Sequence, residues 1–257
     1  ECNDRVKKIK GVEAFTYNEN GSVTSSEFHQ IKEIQYETAT GMAHTVRVNQ
    51  DTIRYQYNTN GKRLIKQTNE MERLYLRNAK HKTLEEIEKN EAGIYHTEYI
   101  YGPNGLAALR KDNKLHYLCL DHLGSSRICV DTEGIIENAF QYSVFGDRND
   151  LKTSDGQKDL RYSYTGYEWE EELGLYYAVS RYYDPVLKRF LSVDPKLESS
   201  SPYVYCKNNP LLLSDPNGES SWWAILIGSI LSIAIGIVTC GVGVAVGAAV
   251  EGATVAA

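Results

Sequence analysis

Cysteine, proline and phenylalanine are scarce in this 257-residue chain, and basic charge is in deficit. The five cysteines (Cys2, Cys119, Cys129, Cys206 and Cys240) are odd in number and widely spaced. That spacing fits neither a disulfide framework nor a set of zinc ligands. Lys and Arg number 28 against 34 Asp and Glu, for a formal net charge of −6. A general nucleic-acid binder carries the opposite balance, so no nucleic acid is expected as a partner. There is no HExxH motif, no GxSxG elbow and no phosphate-binding loop. Gly241-Val-Gly243 lies in an apolar run without Lys. The six histidines read as scattered surface or strand positions, so neither a metal nor a cofactor is expected. Asp121-His122 followed by Gly124-Ser125-Ser126 reads as a polar turn rather than a hydrolase site. Cys119 and Cys129 read as small residues on strands. The chain opens at Glu1 with no charged n-region, which suggests a piece of a longer protein.

What is present points to β structure. Tyr numbers 19 against 5 Phe, and Gly 20 against 6 Pro. Tyrosine combined with Gly and Asn turns is a strand-and-turn composition. One shape recurs: an aromatic, a few polar residues, a Gly, then an alternating segment. Tyr17-Asn-Glu-Asn-Gly21, Tyr57-Asn-Thr-Asn-Gly61 and Tyr101-Gly-Pro-Asn-Gly105 show it. Asp131-Thr-Glu-Gly134 and Tyr142-Ser-Val-Phe-Gly146 are variants. The Gly supplies the positive φ of a hairpin connection. Between turns, Arg54-Tyr-Gln-Tyr57 and the run from His96 to Tyr101 alternate with period two, as half-buried antiparallel strands do. Tyr17, Tyr57 and Tyr101 follow at intervals of roughly 40 residues, or two units of about 20 each, the signature of stacked repeats. Thr83-Leu-Glu-Glu86 has the form of a capping box that opens a short helix to Ala92.

The composition breaks after Gly218. From Ser220 to Val250 there is no charged residue. As a helix, Trp222–Val250 would run roughly 44 Å at ~1.5 Å per residue, against about 30 Å for a bilayer core. Trp222 and Trp223 sit where interfacial aromatics belong. Gly228, Ser232 and Gly236, then Gly243 and Gly247, place small residues every fourth position, as closely packed apolar helices do. Two readings stay open for this tail: a membrane-spanning or membrane-active helix over 222–240, or a hairpin of two short helices enclosed by protein.

Four ordered blocks carry a resemblance: YGPNGLAALR, YLCLDHLGSSRICVDTEGIIENAFQYSVFGD, YTGYEWEEELGLYYAVSRYYDPVLKRFLSVDP and PYVYCKNNPLLLSDPNG. Together they resemble the Rhs and YD-repeat proteins, in particular their Rhs repeat-associated core. The Tyr-to-Gly turns upstream look like degenerate YD repeats. The resemblance implies a mainly β fold in which an antiparallel YD-repeat sheet spirals into a shell. The shell is closed by a core that coils inward, and a variable effector follows. On this chain it implies YD-repeat strands over 1–100, the core or plug over 101–218, and an apolar tail over 219–257 in the effector position. The implied partners are the rest of the protein's own shell, a membrane contacted through Trp222–Val250, an immunity protein, and carbohydrate bound along Tyr stripes. The implied location is secreted or on a bacterial cell surface.

In several such proteins the core is an aspartyl autoprotease. The chemistry needs two carboxylates that share one proton beside a water. The family supplies them in two DPxG turns, matched here by Asp194-Pro195-Lys196-Leu197 and Asp215-Pro216-Asn217-Gly218. The second copy is intact, and Leu197 stands where the first would have Gly. The family's essential Arg, in its RYYDP block, matches Arg181. Asp184 in the same block is a further carboxylate, with turn-capping as its plainer role. The implied function is toxin delivery, in which the core cuts its own chain and releases the tail. The alternative is a surface-anchored YD-repeat adhesin or structural protein whose tail is a membrane anchor and stays attached.

Overall fold

Turn chemistry builds most of this molecule, and one turn recurs. Asn18 accepts the Gly21 amide on its main-chain oxygen, while its side-chain Oδ1 accepts the Ser22 amide at 2.9 Å. Asn58 does the same with Gly61 and Lys62, and Asp131 with Gly134 and Ile135. At Asp121 the partners are Gly124 and Ser125, and at Ser143 they are Gly146 and Asp147. A short polar side chain thus closes a five-residue loop from within, and the Gly at its fourth position sits at positive φ, +81° at Gly21 and +69° at Gly61. The turns anticipated at Gly21, Gly61, Gly105, Gly134 and Gly146 all connect strands.

The computed structural model describes residues 4–9, 11–79, 82–103, 105–153, 160–196, 201–219 and 222–223. After a short hairpin of β1 (Lys8–Ile9) and β2 (Val12–Glu13), these turns link β3 (Phe15–Tyr17), β4 (Val23–Ser26), β5 (Ile31–Tyr36), β6 (Ala43–Val48) and β7 (Asp51–Tyr57). Then come β8 (Arg63–Gln67), β9 (Met71–Arg77), β10 (Thr83–Asn90), β11 (Gly93–Gly102) and β12 (Gly105–Lys111). The run ends with β13 (Lys114–Leu120), β14 (Ser126–Val130), β15 (Ile136–Tyr142) and β16 (Arg148–Thr153). From β3 to β16 every strand pairs antiparallel with the next, giving one 14-stranded sheet in strict sequence order. It continues unbroken across residue 100.

The excess of Tyr over Phe has a structural cause. Tyr36, Tyr57 and Tyr142 each end a strand and donate the hydroxyl to a carbonyl at the start of the preceding one: Val23, Ala43 and Ser126, at 2.6, 2.7 and 2.8 Å. Each ring covers the core and each hydroxyl satisfies a main-chain oxygen where the ladder ends.

Residues 160–196 and 201–219 lie against one face of this sheet. They hold a small sheet of β17 (Glu168–Glu170), β18 (Leu175–Tyr177), β19 (Tyr182–Asp184) and β20 (Arg189–Phe190). A flat sheet of 14 strands at about 4.8 Å spacing would be roughly 60 Å wide. Yet this one segment reaches both ends. Tyr203 donates to the Gly21 carbonyl near the first strand, and Tyr176 donates to the Gly146 carbonyl before the last. The large sheet is therefore strongly curved, and this inner segment, residues 160–196 and 201–219, is held within the curve.

The contact between sheet and inner segment is apolar at both ends and ionic in the middle. Val46, Ile53 and Tyr55 pack with Leu175, Tyr177 and Tyr182, and Tyr99, Leu109 and Phe140 pack with Leu160. Between these clusters Arg63 is fully buried. Its guanidinium contacts Glu170 at 2.5 Å and donates to the Tyr182 hydroxyl at 2.8 Å. It also stacks over the rings of Tyr55 and Tyr177, at 4.1 and 3.6 Å from their centroids. Lys66 reaches Glu170 at 3.1 Å, and the Tyr75 hydroxyl donates to Glu168 at 2.6 Å. Arg161 pairs with buried Glu86 at 2.5 Å. Burial alone would raise the Glu170 carboxyl, but Arg63 and Lys66 overcome it and hold the group at about 2.

Two expectations need correction. Residues 83–90 form strand β10, not a helix. Thr83 and Glu86 face inward, where Arg73, Arg161 and Tyr162 receive Glu86, and β9 and β11 supply ladder partners on both sides. Tertiary pairing thus overrides the local cap. Trp222–Trp223, read as the start of a helix, form strand β22 and pair antiparallel with β21 (Leu213–Ser214). The remainder of the expected tail helix lies outside the described residues. Among those residues no helix is long and apolar enough to cross a membrane.

Candidate functional site

Arg181 organises the end of the inner segment. It precedes β19, and its side chain is almost fully buried. Its guanidinium lies 3.6 Å from the centre of the Phe190 ring. Nε donates to the Gly218 carbonyl, Nη1 to the Pro202 carbonyl at 3.3 Å and Nη2 to Asp215 Oδ2 at 3.4 Å. Burial lowers the Arg181 pKa, and the negative charges of Asp194 and Asp215 act against that. The structure thus brings Arg181 into contact with Asp215 and within reach of the charge of Asp194.

Both aspartates hold turns, as Asp-Pro geometry favours. Asp194 is buried. Its Oδ1 accepts the Lys196 amide at 2.9 Å, and its own amide donates to the Pro202 carbonyl at 2.9 Å. Asp215 is 1% exposed, and its Oδ1 accepts the Glu219 amide at 3.1 Å. The Tyr167 hydroxyl donates to the Asp215 main-chain carbonyl. Pro195 and Pro216 are exposed at the outer corners of their turns. Gly218 sits at φ +71°, and a Cβ there would overlap the Ala178 carbonyl oxygen. That position requires Gly for both reasons. Leu197, at the other motif's fourth position, lies outside the described residues.

Beyond Gly218 the chain turns back on the site. Glu219 is held by Ser180 Oγ at 2.8 Å and lies 3.6 Å from Lys196. Trp222–Trp223 then run antiparallel to Leu213–Ser214, the residues just before Asp215. The chain downstream of the second aspartate is therefore folded across the turn that carries it.

Asp184 belongs to a different contact. Its Oδ1 accepts the amides of Val186 and Leu187, both at 2.9 Å, which is turn capping. Its Oδ2 accepts His29 Nε2 at 2.6 Å, from the turn between β4 and β5. Sequence reasoning missed His29, Tyr167 and the buried acids Glu168 and Glu170. Only the last two carried a signal, since period-two spacing around Trp169 puts both acids on one face of a strand. Asp121 accepts the amides of Leu123 and Ser125 and holds its turn, while His122 Nε2 meets the Leu211 carbonyl at 3.1 Å. Cys119 and Cys129 lie on neighbouring strands but on opposite faces, one exposed and one buried. The expectation of scattered surface or strand positions holds for His116, which lies on β13. His116 is buried, and with Cys129 and Glu137 it places three metal-ligating side chains together on the sheet.

The family model described as teneurin YD-shell matches residues 1–210. Salivary gland surface protein 1 of Aedes aegypti is 29% identical over 238 residues, 86% of this chain and 7% of that protein. The tRNA3(Ser)-specific nuclease WapA of Bacillus spizizenii is 34% identical over 137 residues, 51% of this chain and 6% of its own length. Toxin subunit YenC1 of Yersinia entomophaga is 28% identical over 194 residues, 65% of this chain and 19% of that protein. The chain thus spans under a fifth of each of these relatives. The crystal structure of TcdB2–TccC3 shares the fold with a TM-score of 0.64 at 24% identity, over 79% of this chain and 11% of that one.

Proposed function

We propose, since the chain belongs to the teneurin YD-shell family, that it is the closing end of a secreted toxin-delivery shell. In this reading residues 101–218 form the core that plugs the shell and cuts the chain behind itself. One observation carries the proposal: Arg181 is within the electrostatic reach of both Asp194 and Asp215 while it grips the carbonyl of Gly218, after which the chain folds back. Aspartyl hydrolysis needs two neighbouring carboxylates that share one proton, and a cation beside such a pair stabilises its ionised member. The ionised carboxylate takes a proton from water as the oxygen attacks the peptide carbonyl, and the protonated one gives its proton to the departing nitrogen. The cut falls in Glu219–Ser221 or at the Trp pair, at the change of composition between core and tail. Toxin subunit YenC1 and the WapA nucleases among the relatives support a delivery role and an extracellular location.

The intact mass of the expressed 1–257 chain tests this directly. Wild type should yield a fragment ending near residue 221, and Asp194→Asn and Asp215→Asn should each remain whole. Restoring Gly at Leu197 should speed the cut if that turn limits the geometry. A folded wild type and a folded Leu197→Gly variant that both keep full mass would overturn the cleavage reading. The second reading, a surface-displayed shell that keeps its tail, draws on one observation: the surface protein of Aedes aegypti matches 86% of this chain. An uncut chain that fractionates with membranes through its tail would favour it.

A further inference from the structure

We propose that His116, Cys129 and Glu137 form a binding site for one divalent transition-metal ion, with Zn²⁺ the best match to the donors. The three come from three successive strands, β13, β14 and β15. Their ligand atoms all lie within 4.8 Å of one another. Zinc accepts each of these donors, an imidazole nitrogen, a thiolate and a carboxylate, whereas Ca²⁺ and Mg²⁺ require oxygen throughout.

The distances fit a metal with modest adjustment. Ligands at about 2.0–2.3 Å from a tetrahedral ion stand roughly 3.3–3.8 Å apart. Cys129 Sγ and Glu137 Oε2 are 3.9 Å apart. His116 Nδ1 donates to the same Glu137 oxygen at 2.6 Å, and that hydrogen bond must open by roughly 0.7 Å as the ion replaces the proton. Loading moves the imidazole proton to Nε2 and releases the thiol proton. One thiolate and one carboxylate then balance the dication, so the occupied site is neutral overall.

The strand register explains how Glu137 joins the other two. Cys129 pairs with Asn138, but Val130 pairs with Ile136, so Glu137 is the extra residue of a bulge. A bulge turns a side chain out of strict alternation, and here it delivers the carboxylate to the face that holds His116 and Cys129. Those two are 2% and 0% exposed. The Glu137 side chain is 19% exposed, which leaves a route for entry and a fourth position for water. Cys119 lies on the opposite face, paired with Ile128, and is not part of the set. Occupation would cross-link three neighbouring strands near the C-terminal edge of the sheet.

The test uses the whole reduced 1–257 chain, stripped with a chelator and titrated with Zn²⁺ by calorimetry and with Co²⁺ by visible absorption. One equivalent should bind, and Co²⁺ should show thiolate-to-metal charge transfer together with the strong d–d bands of a tetrahedral site. Cys129→Ser should remove the charge-transfer band and weaken Zn²⁺ binding roughly 100-fold or more. Glu137→Gln, at a partly exposed position that perturbs folding less, should also weaken it, and Cys119→Ser should change nothing. Absence of saturable Zn²⁺ binding, a cobalt complex without a thiolate band, or unchanged binding by folded Cys129→Ser and Glu137→Gln would each overturn the proposal. The trio would then be an ordinary hydrogen-bonded cluster.

Discussion

Replacing Arg63 with Met puts the ionic centre of the interface to a quantitative test. Arg63 is fully buried and holds Glu170 from the inner segment at 2.5 Å. Methionine keeps much of the apolar stem between the rings of Tyr55 and Tyr177 but removes the charge. Glu170 would keep Lys66 at 3.1 Å and the Tyr55 hydroxyl at 2.7 Å, so the loss falls at the lower end of that for a broken buried pair, about 3 kcal/mol. Linkage sets the scale for the whole cluster around Glu170, Arg63 and Lys66 together. A carboxyl held at about 2 instead of its ordinary 4.5 corresponds to about 3 kcal/mol of stability. Because the folded value is depressed, that stability is fully present above about pH 4.5 and is lost as pH falls through 2. In Arg63→Met the folded value rises toward the ordinary one, so less stability depends on this carboxyl and the loss below pH 4.5 should be smaller than in wild type. Urea unfolding followed by tryptophan fluorescence, with Trp169 between the two acids, measures both effects. The double variant Arg63→Met/Glu170→Gln should regain at least about 1 kcal/mol over the single one, because the buried carboxylate that lost its guanidinium is no longer there to be desolvated. A cost below about 1 kcal/mol for Arg63→Met, or a double variant no better than the single, would refute this account of the interface.

Tyr36→Phe, Tyr57→Phe and Tyr142→Phe should each cost about 1 kcal/mol and should add when combined, since each removes one hydroxyl-to-carbonyl bond on a separate strand pair; urea midpoints report this. Gly218→Ala should cost about 2 kcal/mol or more, from positive φ and overlap with the Ala178 carbonyl, and should slow any self-cleavage seen by intact mass. His29→Ala should destabilise by about 1–3 kcal/mol, because buried Asp184 loses a side-chain partner; thermal unfolding at pH 7 checks it.

The strands and their turns were legible because both rest on local rules. Asn18, Asn58, Asp131 and Ser143 each close their own loop within five residues, so sequence spacing carries the whole signal. The neighbourhood of Arg181 and the two aspartates came from family motifs, not from periodicity. Strand β10 was misread because Thr83 and two glutamates form a good local cap, while the arginines that receive Glu86 lie on another strand and on the inner segment. His116, Cys129 and Glu137 are joined by register and a bulge, neither of which leaves a mark in composition. The Trp pair looked like a membrane-interface anchor because its partner, Leu213–Ser214, becomes an available edge only after the turn at Gly218 closes.

The strict sequence order of the large sheet has a bearing on when the site comes into being. Each hairpin needs only its neighbour, so strands can join one by one as the chain leaves the ribosome, at low cost in loop closure. The inner segment is the opposite case. Arg63 waits 107 residues for Glu170, and Gly21 waits 182 for Tyr203. Arg181 and Asp215 therefore meet only after the strands around them have been laid down. On the proposed cleavage reading this supplies a clock: the cut would wait until the sheet around the inner segment is complete, and a partly built sheet would hold no cutting site.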